Sequence, residues 1–230
     1  MIQQLHRGGS ISLRKGENLS PAAALTHFCV GIKWGIIEEK KHRFLRSSRI
    51  VRKPIDLDLS CLMYFEGREE ESFEYLYSPE YKPKNLTRIG LPPGKLISAD
   101  GGLEHSGDDQ TGDLEGDNPL DNEIISVDLR RLDPAAKVIY FFLNNLGPED
   151  FATIPYARIR LYEGSPTKVV EEFATFEVPA GPDNEGHRAI IMGKLEKNDA
   201  GEWIFTALGE TTDDTNFAAT IFRLRAKIIG

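Results

Sequence analysis

Between Lys95 and Arg130 the chain has neither lysine nor arginine, yet it carries Asp100, Glu104, Asp108, Asp109, Asp113, Glu115, Asp117, Asp121, Glu123 and Asp128. Carboxylates so crowded repel one another unless water or a cation screens them. Glycines at 101, 102, 107, 112 and 116 are interleaved among them. Glycine admits the positive φ of tight turns, which fold side chains and carbonyls toward a common point. Oxygen donors on a pliable loop suit a hard cation, and calcium, with roughly six to eight ligands, suits them better than octahedral magnesium. The run is not an EF-hand: no stretch sets Asp at positions 1, 3 and 5, Gly at 6 and Glu at 12. Asp56 and Asp58 lie two residues apart in an alternating segment, so they share one face of a strand and could close a site completed by the loop.

Other chemistries find less support. His105 sits among the carboxylates, where a hydrogen bond that orders the loop is the expected role rather than proton transfer. Glycoside hydrolysis needs two carboxyls in different environments, whereas these are many and lie in one loop. No Ser-His-Asp signature, phosphate-binding Gly-rich loop with Lys, or Cys-x-x-Cys pair occurs. Cys29 and Cys61 fall in apolar, strand-like runs where burial is expected. A separate basic run comprises Lys40, Lys41, His42, Arg43, Arg46, Arg49, Arg52 and Lys53. With Phe44 and Leu45 in its middle it could offer an apolar, cationic tip to an anionic surface, although a solvated loop is the plainer expectation.

The elements that must position these groups are strands. Period-two alternation and β-branched or aromatic runs predict strands over 10–13, 25–34, 56–64, 124–129, 138–143, 158–162, 172–178, 189–193, 203–208 and 218–224. Gly, Pro and Asp fall between them at the spacing of an all-β sandwich. Helices are expected only as single turns near 95–99 and 149–154. The fold expected is therefore two sheets packed face to face, as one domain over residues 1–230. It would carry a basic surface loop at about 38–53 and an acidic metal-binding loop at about 98–123.

The 230 residues are 40% hydrophobic and 28% charged, ordinary for a soluble globular protein. No segment is apolar for long enough to span a membrane, and the first residues lack a secretory apolar core. Two cysteines are too few for a disulfide framework, which favours a reducing cytoplasm. The net charge of −8 would be partly cancelled by bound divalent ions.

One pattern is more specific than its charge. The run Gly107-Asp108-Asp109-Gln110-Thr111-Gly112-Asp113-Leu114-Glu115-Gly116-Asp117, entered through Asp100-Gly101 and Glu104-His105-Ser106, resembles the TerD family of tellurite-resistance and stress proteins. Asp56-Leu57-Asp58-Leu59-Ser60 and Ser12-Leu13-Arg14-Lys15-Gly16 match that family's upstream motifs, and Asn144-Asn145 looks most like its TerZ branch. The resemblance implies a β-sandwich holding two calcium ions, without catalysis, as a metal-dependent interaction module in a stress response. By position it implies Asp56, Asp58, Asp108, Asp109, Asp117 and Glu123 as ligands, with Asp100, Asp113, Glu115 and Asp121 as a second group. Here Asp109 stands where the family has Asn. Asn118-Pro119-Leu120 interrupts a compact acidic motif, so either Asp117 or Asp121 would fill the second-carboxylate role. Expected partners are other tellurium-resistance proteins in a membrane-associated complex, with no nucleic acid. The alternative is a protein that binds anionic lipid surfaces through calcium.

Overall fold

The computed structural model describes residues 2–15, 23–43, 46–80, 83–114, 116, 118–145 and 147–230. With strands numbered along the chain, one sheet has the spatial order β1 (Gln3–Gln4), β14 (Lys168–Pro179), β13 (Tyr156–Ser165), β5 (His27–Trp34), β11 (Glu123–Asp128) and β10 (Leu103–His105). The other runs β2 (Ser10–Ser12), β16 (Trp203–Thr212), β15 (Ala189–Lys197), β12 (Ala136–Asn145), β8 (Leu57–Phe65) and β9 (Phe73–Leu76). Two ribbons lie outside these sheets: β3 (Arg14–Lys15) with β4 (Ala23–Ala24), and β6 (Ile37–Arg43) with β7 (Arg46–Lys53).

Alternation decides which side chains meet. Phe28, Val30, Ile32 and Trp34 of β5 share one core with Leu57, Leu59, Cys61 and Met63 of β8, and with Ile139, Phe141 and Leu143 of β12. That shared core makes the two sheets a sandwich. On β8 the intervening residues, Asp58 and Ser60 among them, therefore face the opposite side of the sheet. Cys29 and Cys61 are both buried thiols, as their apolar surroundings predict.

The central strands of the second sheet, β8 and β12, are buried on both faces. Leu62, Tyr140, Phe142 and Ile191 form a further apolar layer with Phe217, Ile221 and Leu224 of a C-terminal helix. Two α-helices are described, α1 (Pro83–Arg88) and α2 (Phe217–Ile229), and α2 covers this outer face. The strand expected over 218–224 is thus corrected to helix. Its buried residues 217, 220, 221 and 224 recur at three- to four-residue steps, and Asn216 caps the first turn by accepting from Ala219 N at 3.1 Å. No described helix is long and apolar enough to cross a membrane.

Arg223 ties α2 to the loop before it, donating from Nε and Nη2 to Asp214 at 3.0 and 2.9 Å, while Thr212 Oγ1 donates to the same carboxylate at 2.7 Å. Burial alone would lift the Asp214 pKa, but these bonds outweigh it and hold the group below its ordinary value. An acid lowered in this way contributes stability that is complete above about pH 4 and is lost as the pH falls through its folded pKa. Arg223→Met therefore lowers the melting temperature at neutral pH, and its melting curves lose less than the parent's on acidification below about pH 4.

The basic run is also corrected. It is an antiparallel ribbon from Ile37 paired with Lys53 to Arg43 paired with Arg46, where a loop was expected. Residues 38–41, 49 and 50 are exposed on both of its faces, so no apolar alternation marks it in the sequence. The expected apolar tip at Phe44 and Leu45 lies outside the described residues.

Candidate metal centre

The site is built where a strand edge lacks its neighbour. β9 pairs with β8 only from Cys61 to Tyr64, so the outward N–H and C=O of Leu59 need other partners. Glu123 Oε2 accepts from Leu59 N at 2.7 Å, and His105 Nε2 donates to Leu59 O at 3.0 Å. The other oxygen of Glu123 accepts from Asp109 N at 2.9 Å, and His105 Nδ1 accepts from Gly107 N at 3.0 Å. Two buried side chains thus clamp the loop after β10 against the start of β8. Both ring nitrogens of His105 are occupied, so this hydrogen-bond network assigns the Nε2–H tautomer and leaves no lone pair for a metal.

The clamp brings Asp108 to Asp56 and Asp58. One carboxylate oxygen from each lies within 4.8 Å of the other two. Charges that close cost on the order of 1 to 3 kcal/mol per pair, depending on how much water screens them. Burial pushes the Asp56 pKa up, and the carboxylates of Asp108, Asp109 and Glu80 push it further. Burial likewise raises Glu123, against the pull of His105 and its backbone donors. Asp56 Oδ1 is buried and accepts no hydrogen bond among the described residues. An orphaned anionic oxygen in an oxygen-only cluster fits a hard cation. Opposite ligands of calcium stand about 4.6–5.2 Å apart, so three oxygens within 4.8 Å fit one coordination sphere.

The remaining carboxylates have other partners. Asp109 shapes a turn: its Oδ1 accepts from Thr111 N at 2.8 Å, Thr111 Oγ1 at 2.9 Å and Gly112 N at 3.1 Å. Gly112 is required there, because its φ is +61° and a Cβ would come within 2.6 Å of Trp34 Nε1. Asp113 is buried, accepts from the Tyr156 hydroxyl and faces Lys33 Nζ at 3.7 Å. Asp121 is bound by Arg160 Nε, at 2.8 Å to Oδ1 and 3.0 Å to Oδ2. Asp100 closes a turn by accepting from Ser98 Oγ at 2.6 Å, Gly102 N at 2.8 Å and Asp133 N at 2.8 Å. Glu115 and Asp117 lie outside the described residues. The structure therefore gathers Asp56, Asp58 and Asp108, sets Asp109 and Glu123 beside them as props, and places Asp100, Asp113 and Asp121 in pairings elsewhere. Glu80 was not foreseen; it bears on Asp56 through space, and nothing in its local sequence signals that.

The sequence model of the TerD domain matches residues 94–221, more than half of the chain. The chain belongs to the TerD domain family. Stress response protein SCP2 of Bacillus subtilis (strain 168) is 29% identical over 228 residues, covering 97% of this chain and 99% of that protein. Tellurium resistance protein TerZ of Serratia marcescens is 27% identical over 202 residues, covering 86% of this chain and 89% of TerZ. Tellurium resistance protein TerD of the same organism is 25% identical over 209 residues, covering 87% of this chain and 90% of TerD.

Among solved structures, a homologue of telluride resistance protein (TerD) from Streptomyces coelicolor A3(2) superposes with a TM-score of 0.50 at 18% identity. That match covers 82% of this chain and 91% of the homologue, and a protein of unknown function matches at a TM-score of 0.52 and 16% identity over 84% and 93%. At these identities the likeness shows the fold, an all-β sandwich. The matched TerD segment spans β10 to α2 and so includes Asp108, while Asp56 and Asp58 precede it.

Proposed function

We propose that this TerD-domain protein binds calcium through Asp56, Asp58 and Asp108, and acts without catalysis as a metal-dependent interaction module in a cytoplasmic stress response of the tellurium-resistance type. The convergence of three carboxylate oxygens within 4.8 Å, with the buried Asp56 oxygen lacking a hydrogen bond, carries this reading. When bound, the ion supplies the positive charge that the cluster lacks and holds its oxygens in fixed directions. Glu123 and His105 already hold the loop on Leu59, so little rearrangement is needed to present Asp108. The same commitment of His105 speaks against proton transfer, since its ring is spent on backbone groups. Relatives named for stress response and tellurium resistance support the physiological setting, with other tellurium-resistance proteins as partners.

Isothermal titration of the metal-free chain with calcium tests the proposal directly. Heat of binding is expected, reduced by one site in Asp56→Asn plus Asp108→Asn. A stoichiometry of two in the parent would give the remaining loop carboxylates an ion of their own. Absence of heat at millimolar calcium sinks the reading.

A further inference from the structure

The β6–β7 ribbon segregates charge in a way the acidic centre does not account for. From residue 37 to residue 53 it holds seven cations and two glutamates, a net +5, so the rest of this −8 chain carries −13. The segregation continues within the ribbon. Glu38 and Glu39 sit near its base, and from residue 40 to residue 49 there are five cations and no carboxylate.

The base is fastened to the body: Ile37 packs on the core, Lys53 pairs with Glu149, and Arg52 Nη1 reaches Leu114 O at 3.5 Å. Beyond it, among the described side chains, no hydrogen bond or ion pair joins residues 39–41 or 49–51 to the body; Lys41 meets Glu39 of its own strand, at 3.8 Å. Lys40, Lys41 and Arg49 are exposed, and Ile50 is 59% exposed beside them. Lys41 stands directly opposite Arg49 in the ladder, and the next registered pair along is Arg43 with Arg46. Like charges opposite each other destabilise a ribbon unless an anion lies across them.

Lysine on an open ribbon can also serve to prevent edge-to-edge pairing. Scattered charges with acidic neighbours, as at this ribbon's base, would suffice for that, whereas five cations without a carboxylate from residue 40 to residue 49 exceed it. The ribbon's reach matters too. Four residue steps at about 3.3 Å carry Lys41, with Arg49 opposite it, roughly 13 Å from the base at Ile37. That exceeds a Debye length of about 8–10 Å, so the acidic body is screened from whatever these two cations touch. The exposed Ile50 separates the candidate anions: an aliphatic side chain among cations gains at a headgroup–acyl boundary and gains nothing on a phosphodiester backbone.

We propose that the far half of the β6–β7 ribbon, through Lys40, Lys41, Arg49 and Ile50, docks this chain on anionic lipid by a contact that needs no calcium. It is independent of the metal centre, and the test is run in chelator so that the two readings fail separately. Purified protein is floated with phosphatidylcholine vesicles with and without phosphatidylglycerol, at low salt. It should rise with the anionic vesicles and stay behind with the neutral ones. Lys41→Gln plus Arg49→Gln, both exposed and outside the core, should weaken partition about tenfold or more without lowering the melting temperature. No flotation in chelator overturns the proposal, as does equal flotation of the double variant. Flotation that appears only with calcium overturns it in favour of ion bridging at the acidic centre. Binding of a labelled DNA oligonucleotide, lost in the double variant while vesicles fail to bind, gives the ribbon to nucleic acid and overturns it as well.

Discussion

With calcium bound at the proposed site, saturating calcium should raise the melting temperature of the metal-free chain by about 8–16 °C, and Asp56→Asn plus Asp108→Asn should remove most of that rise. A ligand at a thousand times its Kd stabilises the folded state by about 4 kcal/mol, and each kcal/mol moves the midpoint of a chain this size by about 2–4 °C. The metal-free baseline distinguishes this from damage to the fold. Burial and three neighbouring carboxylates already disfavour the charge on Asp56, so replacing it and Asp108 by neutral amides relieves repulsion. In chelator the double variant should therefore melt no lower than the parent, while in calcium it melts well below it. Magnesium should give a smaller rise, since it sheds water reluctantly and demands shorter, octahedral contacts. Scanning fluorimetry in chelator, calcium and magnesium reads all three. An equal calcium shift in parent and variant would remove these residues from the site.

The sandwich was legible because alternation is local. Leu57, Leu59 and Cys61 against Asp58 and Ser60 declare β8 and its two faces without any partner being known. Alternation failed where burial did not alternate. Ribbon residues 38–41, 49 and 50 are exposed on both faces, and α2 offers apolar residues that a short window reads as a strand until Asn216 is recognised as a cap. The acidic centre was legible in kind but not in membership. Glycine spacing marks a loop able to gather oxygens, but which oxygens remain available depends on cations far away in sequence. Lys33 holds Asp113 from β5 and Arg160 holds Asp121 from β13, and neither leaves a trace in the acidic run itself. Gly31 is a partial exception. A glycine inside a buried strand suggests a close approach, and here a Cβ would stand 1.9 Å from Asp121 Oδ2.

That close approach buries the Asp121–Arg160 pair on the outer face of the first sheet, where losing either partner is costly. The Asp121 side chain has no exposed surface and Arg160 keeps 14% of its own. Arg160 Nη2 also donates to Pro119 O at 2.5 Å, so one guanidinium fixes both the carboxylate and the backbone that leads to it. Burial pushes the Asp121 pKa up; Arg160 opposes this most strongly, then Lys33. Arg160→Met should cost about 3–5 kcal/mol, because it strands a buried charge rather than merely deleting a bond. Adding Asp121→Asn should restore much of the loss, since no charge is then left to desolvate. The pH dependence follows from the direction of the shift. Without Arg160 the folded pKa of Asp121 rises further, so the penalty grows as the pH climbs above about 4 and shrinks when acid neutralises the group. Urea unfolding of the single variant should accordingly lie closer to the parent at pH about 5 than at pH about 7, while the double variant shows no such convergence. A single variant whose deficit is the same at both pH values would mean that Arg160 stabilises the fold by packing, and that Asp121 is not held as a buried anion.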